Sequence, residues 1–178
     1  MKWLDHLFGG RKNMAALTAG TKAPDFSLSD VNGGKFSLQD ALRHGPVVAA
    51  FFKVSCPVCQ YAFPFFERLH KAYGAQNVTV VGISQNDRSE TAAFLKEYGI
   101  TFRTLLDDPK GYAVSNAYGL TNVPTLFLIG QDGQIEISSV GWVKAELEDL
   151  NHRLAEAQKI SLTPLFQRGE EVSDFRAG

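Results

Sequence analysis

The chain has 178 residues, enough for one domain with a substantial core, and its 44% hydrophobic and 21% charged content is ordinary for a soluble globular protein. A formal net charge of −1 gives no electrostatic reason to expect nucleic acid or an anionic membrane surface as partner. No apolar stretch reaches the length of a membrane span, and two cysteines make no disulfide framework, so the pair serves chemistry or metal.

Residues 1–19 read as an N-terminal extension. Trp3, Leu4, Leu7 and Phe8 follow helical spacing, and the segment is expected to pack back on the domain or fray rather than to dock on a membrane surface or partner. It does not read as a signal peptide, because Asp5 and His6 interrupt the apolar positions and Gly9-Gly10-Arg11-Lys12 stands where a cleavage region would need small apolar residues. The expected location is cytoplasmic, where a cysteine pair rests mostly reduced.

Regular signals begin at Ala23. Phe26-Ser27-Leu28 and Lys35-Phe36-Ser37 flank Asn32-Gly33-Gly34, the pattern of a hairpin with left-handed turn residues. Ser37 with Asp40 marks a helix start for Leu38 to Arg43, which Gly45-Pro46 stops. Val47 to Phe52 is continuously apolar and predicts a central strand covered on both faces. The helix that follows has Pro57 at its first position, a buried stripe of Val58, Ala62, Phe65, Phe66, Leu69 and Tyr73, and an internal Pro64.

Val78 to Ile83 predicts the next strand, and Asp87 with Glu90 predicts a capping box for a helix through Phe94, Leu95 and Tyr98, ended by Gly99. A strand over Phe102 to Leu106, a turn at Asp107-Asp108-Pro109 and a short helix from Tyr112 to Tyr118 come next. Thr125 to Ile129 and Gln134 to Val140 pair across Asp132-Gly133, and Leu147, Leu150 and Leu154 line a last helix. Strands alternating with helices, then a hairpin and a helix, imply an α/β domain with a mixed central sheet over residues 20–158. Residues 159–178 read as a C-terminal tail.

The two cysteines stand as Cys56-Pro57-Val58-Cys59, directly after the apolar strand. A thiol delivered to a helix N-terminus is a nucleophile, since backbone N–H groups and the helix dipole favour the thiolate. A second thiol three residues on lies one turn along the same face, near enough to close a disulfide. Cys56 is therefore expected to attack and Cys59 to resolve.

In this order along the chain, Ala23-Pro24-Asp25-Phe26-Ser27-Leu28, the Cys56–Cys59 motif, Pro64 and Val123-Pro124-Thr125 resemble the thioredoxin superfamily. More narrowly they resemble the redoxin branch shared by TlpA/ResA-like thiol–disulfide oxidoreductases and AhpC/TSA peroxiredoxins. The resemblance implies a thioredoxin-like fold, with an N-terminal β-hairpin and an extra strand-and-helix insertion over Phe102 to Tyr118. It implies a cis Val123–Pro124 bond in a loop against the cysteines. It also implies substrate contacts at Pro57, Val58, Val123 and Pro124, with an incoming polypeptide pairing beside the proline. The expected partners are protein disulfide or dithiol substrates and an unidentified reductant, with no cofactor and no metal.

Four positions depart from the pattern: Ser55 replaces an aromatic residue, Ala50 and Ala62 stand where relatives carry an acid, and Lys53 stands where peroxiredoxins need a hydroxyl. With no acid to take the Cys59 proton, resolution is expected to be slower than in an acid-equipped relative. Lys53 is expected either to add charge near Cys56 or to lie in solvent. The alternative activity is a thiol peroxidase, with Cys56 peroxidatic and Cys59 resolving. A Cu(I) or zinc module ranks below both, because His6, His44, His70 and His152 lack metal-ligand spacing.

Overall fold

The computed structural model describes residues 15–107 and 109–178. The amphipathic positions Trp3 to Phe8 lie outside the described residues, as does Asp108 of the expected turn.

An antiparallel hairpin of β1 (Ser27–Ser29) and β2 (Lys35–Ser37) opens the fold, with Gly33 at φ +89° in its turn. Only a residue without a Cβ adopts that conformation cheaply, so the turn needs its glycine. Helix α1 (Leu38–Leu42) follows at once, its first turn capped by the Ser37 hydroxyl, which accepts from Asp40 N–H at 3.4 Å.

The main sheet has the order β5-β4-β3-β6-β7. Strands β3 (Val47–Phe52), β4 (Thr79–Ser84) and β5 (Thr104–Leu106) run parallel, and β6 (Thr125–Ile129) and β7 (Ile135–Val140) run antiparallel to their neighbours. All six residues of β3 are buried, as its unbroken apolar run requires of a strand covered on both faces.

Alternation sorts β3 between two layers. Val47, Ala49 and Phe51 join Leu38 and Leu42 of α1, Val114 and Tyr118 on one face. Val48, Ala50 and Phe52 join helices α2 (Pro57–Tyr73), α3 (Arg88–Tyr98) and α5 (Lys144–Gln158) on the other. Helix α3 starts with the expected reciprocal Asp87/Glu90 capping box and ends on Gly99 in the left-handed region. Helix α4 (Ala113–Ala117) takes its cap from a distance: the buried Asp107 carboxylate accepts from Val114 and Ser115 N–H at 3.2 and 2.8 Å.

The small differences from sequence expectation have local causes. Strand β5 starts at Thr104 rather than Phe102 because the buried Glu67 carboxylate of α2 accepts the N–H groups of Thr101 and Phe102. Tyr112 is not helical; it precedes α4 with φ +47°. Val58 is half-buried, since it lies in the first turn of α2, just beyond the C-terminal end of the central strand β3.

Beyond α5 the chain returns across the α2 side of the sheet. Leu165 is buried in that core layer, and Phe166 packs on Phe65 and Trp142. A two-stranded ribbon then forms between β8 (Trp142–Val143) and β9 (Phe175–Arg176).

Candidate active site

Strand β3 ends at Phe52, and after three intervening residues the chain turns into α2 with Cys56 as its N-cap. The turn is fixed by backbone and amide contacts. Cys56 N–H donates to Lys53 C=O at 3.2 Å, Gln60 Nε2 donates to Val54 C=O at 2.9 Å, and Val54 N–H donates to Asn86 Oδ1 at 3.0 Å. Asn86 is itself held by Glu90 at 3.0 Å. The Pro57 ring occupies the first helical position, where a missing N–H leaves nothing unpaired.

This geometry aims the helix start at sulfur. Cys59 N–H donates to Cys56 Sγ at 3.3 Å, so the Cys56 sulfur sits where a capping oxygen would sit in another helix. The same sulfur, as a thiol, donates to the Val123 carbonyl at 3.3 Å. Val123–Pro124 is a cis peptide bond, and the proline loop expected from the resemblance lies against Cys56. That loop is pinned by Thr125 Oγ1 donating to Asn122 C=O and by Gly141 N–H donating to Pro124 C=O, each at 2.8 Å.

The two thiols are free and differ in environment. Cys56 is half-buried and Cys59 has no exposed surface. Burial is the main cause pushing the Cys59 thiol well above the ordinary range, and its hydrogen bond with Cys56 adds to it, while the Lys53 backbone N–H pulls the other way. Ala50 and Ala62 are fully buried members of the same apolar cluster, so neither expected acid position supplies a proton acceptor. A half-buried thiol at the helix start beside a fully buried, protonated one is an arrangement that a two-step disulfide exchange can use.

The residues expected to meet substrate are brought together in part. Pro57 is exposed and Val58 half-buried at the helix start, Val123 is half-buried against Cys56, and Pro124 is buried behind it. Lys53 is exposed with its ammonium over the Tyr112 ring, 5.9 Å from the centroid, and its connection to Cys56 is through its backbone carbonyl. A polar recess lined by Lys53, Gln85, Tyr112, Ser115 and Asn122 shares Val123 with the site. Among the described residues, no three His, Cys, Asp or Glu side chains converge to hold a metal ion, and no helix is long and apolar enough to cross a membrane.

The sequence profile of the AhpC/TSA family matches residues 19–138, which carry the cysteines, the cis-proline loop and the main sheet up to the last two residues of β7. The chain belongs to the AhpC/TSA family. Within it, the chain is 33% identical over 118 residues to the thiol-disulfide oxidoreductase ResA of Halalkalibacterium halodurans, which is 66% of this chain and 65% of that protein. It is 31% identical over 131 residues to ResA of Bacillus subtilis, 72% of this chain and 69% of that protein. The chain thus spans about two thirds of the length of these relatives. A thiol:disulfide interchange protein of the thioredoxin family from Chlorobium tepidum superposes with a TM-score of 0.63 at 26% identity, over 81% of this chain and 99% of that one. The thioredoxin-like fold that the resemblance implied is the fold of this chain.

Proposed function

We propose that this thioredoxin-like member of the AhpC/TSA family exchanges its Cys56–Cys59 pair with disulfides of protein substrates. The observation that carries the reading is the Cys56 sulfur: it receives the Cys59 N–H at the helix start and touches the carbonyl before the cis proline. The family relatives named as thiol-disulfide oxidoreductases support it.

In the reducing direction, the Cys56 thiolate attacks one sulfur of a substrate disulfide. A Cys56–substrate mixed disulfide forms and the other substrate sulfur leaves as thiolate. Cys59, having lost its proton to water or to that departing thiolate, then attacks Cys56 Sγ. The Cys56–Cys59 bond forms, the mixed disulfide breaks, and the second substrate sulfur departs and takes up a proton. Two electrons pass to the substrate, and a dithiol reductant returns the pair to its starting state. We place the cycle in the cytoplasm, where the resting pair is reduced.

Thiol peroxidase activity is the competing outcome. At the position three residues before Cys56, where peroxiredoxins need a hydroxyl, the chain has Lys53. Insulin-disulfide reduction and hydrogen peroxide consumption, measured side by side with dithiothreitol as reductant, separate the two. The expected result is insulin reduction well above the dithiothreitol background, lost in Cys56→Ser, with peroxide consumption no faster than in that variant. Peroxide consumption that depends on Cys56 without insulin reduction would replace the exchange reading with the peroxidase one.

A further inference from the structure

Any group bonded to Cys56 Sγ must lie beside Val123, because that sulfur is 3.3 Å from the Val123 carbonyl. The chain's own tail is already there. Asn122 Nδ2 donates to Gly178 C=O at 3.0 Å. A Cβ placed on Gly178 would fall 2.5 Å from the Val123 carbonyl oxygen and 3.3 Å from Gly141 Cα. A Cβ on Gly141 would fall 2.6 Å from Arg176 O and 3.0 Å from Gly178 N. Residues 176–178 therefore pass along Val123 and Gly141 at backbone contact, too close for a side chain at either glycine.

The tail is anchored at each step on its way to this position. Arg68 donates to Leu165 C=O at 2.7 Å and clasps Glu170 through two bonds of 2.8 and 2.7 Å. Trp142 Nε1 donates to Ser173 C=O at 2.6 Å, and Ser173 N–H donates to Tyr61 Oη at 2.9 Å. Lys144 N–H donates to Asp174 C=O at 2.9 Å, Trp142 pairs with Arg176 in the β8–β9 ribbon, and the Arg176 guanidinium lies 3.7 Å from the Tyr61 ring centroid. A strand tethered in place competes as an intramolecular ligand, at an effective concentration that a weakly bound guest in solution does not match.

We propose that residues 175–178 are a specificity element. They occupy the backbone edge beside Val123, keep extended polypeptide segments from adding a strand there, and leave Cys56 to disulfides presented compactly, at the tip of a tight turn or on a small molecule. The proposal rests on the exchange reading and narrows its substrate class. It works by exclusion: the segment fills the space along the Val123 carbonyl that an extended guest would need.

The test uses two probes with one leaving group. One is the mixed disulfide of thionitrobenzoate with glutathione; the other is its mixed disulfide with a cysteine in the middle of an extended synthetic peptide. Release of thionitrobenzoate by the reduced protein is compared with release by dithiothreitol, which corrects for intrinsic reactivity. With the full chain the compact probe should be favoured by about tenfold or more after correction. Removing residues 175–178, which keeps the Arg68–Glu170, Trp142–Ser173 and Lys144–Asp174 contacts, should accelerate the extended probe and bring the preference to within about threefold, with the compact rate unchanged. Gly178→Val in the full chain, which forces the tail off the Val123 carbonyl, should shift the preference in the same direction. Equal handling of the two probes by the full chain, or a preference unmoved by the truncation, would overturn the proposal. Failure of both probes to react faster than the dithiothreitol control with either protein would instead overturn the exchange reading beneath it.

Discussion

Cys59 should make resolution the pH-limited half of the cycle. Its thiol has no exposed surface, lies in the apolar cluster with Ala50, Phe52, Ala62 and Phe63, and is pushed up chiefly by that burial. Once Cys56 is tied up in a mixed disulfide, its charge no longer opposes the Cys59 thiolate, but the burial remains. A raised thiol pKa favours the protonated, unreactive form, so the rate climbs with pH for as long as the pH stays below that pKa. An ordinary cysteine with a pKa of about 8.5 would begin to level off near that pH. Cys59 should instead gain about tenfold per pH unit across the whole range from about pH 6 to 9, roughly a thousandfold, or about 4 kcal/mol of barrier at 1.36 kcal/mol per unit. Rapid mixing of the reduced protein with dithiobis(nitrobenzoate) separates the steps: the first thionitrobenzoate released reports attack by Cys56, the second resolution by Cys59. Cys59→Ser should abolish the second phase and keep the first. A second phase that levels off anywhere below about pH 9 would refute the reasoning, because it would mean that burial does not govern this thiol.

Two further predictions concern how the tail is held. Leu165→Ala removes a buried side chain from the core layer and should lower unfolding stability by about 2–5 kcal/mol in urea denaturation, whereas Leu162→Ala, 40% exposed, should change it by no more than about 0.5 kcal/mol. Equal effects would mean that residues 159–178 contribute no core. Glu170 is held down to about 2, chiefly by its hydrogen bonds from Arg68 and then by Gln167 N–H. A carboxylate with a depressed folded pKa contributes its full stability above its unfolded value near 4.5 and loses it as pH falls toward 2. The near-ultraviolet circular dichroism of Trp142 should therefore change over that interval, and Glu170→Gln should lack the change; an identical acid titration in both proteins would contradict the linkage.

Much of the scaffold was legible because local chemistry and tertiary demand agree. The run Val47 to Phe52 has no polar residue, so it can only be a strand covered on both faces, and its alternating side chains divide cleanly between the two core layers. Asp87 and Glu90 cap α3 as their spacing requires, and Gly99 ends it in the one conformation that favours glycine. At the site, the spacing of Cys56 and Cys59 predicted a shared helical turn, and the resemblance implied the cis bond at Pro124. What escaped the sequence depends on contacts between distant positions. Glu67 takes the amides of Thr101 and Phe102 and shortens β5, which no periodicity announces. Leu165 and Phe166 are neighbours just after Pro164, and Val172 comes six residues later beyond Gly169, so the segment signals no regular element and the sequence does not show that the tail packs on Trp142 and the α2 face and runs to Val123. Lys53 had two expected fates, and its ammonium rests on Tyr112.

The central claim is that Cys56 and Cys59 form one two-electron couple. Equilibration of the protein with glutathione buffers of graded potential, followed by acid quenching, alkylation and mass spectrometry, tests it directly. The account predicts a single transition to a species that has lost two hydrogens, carries a Cys56–Cys59 bond and follows the two-electron slope of about 30 mV per decade. Persistence of two alkylatable thiols under oxidising conditions, or accumulation of glutathione adducts on Cys56 with Cys59 still free, would contradict it.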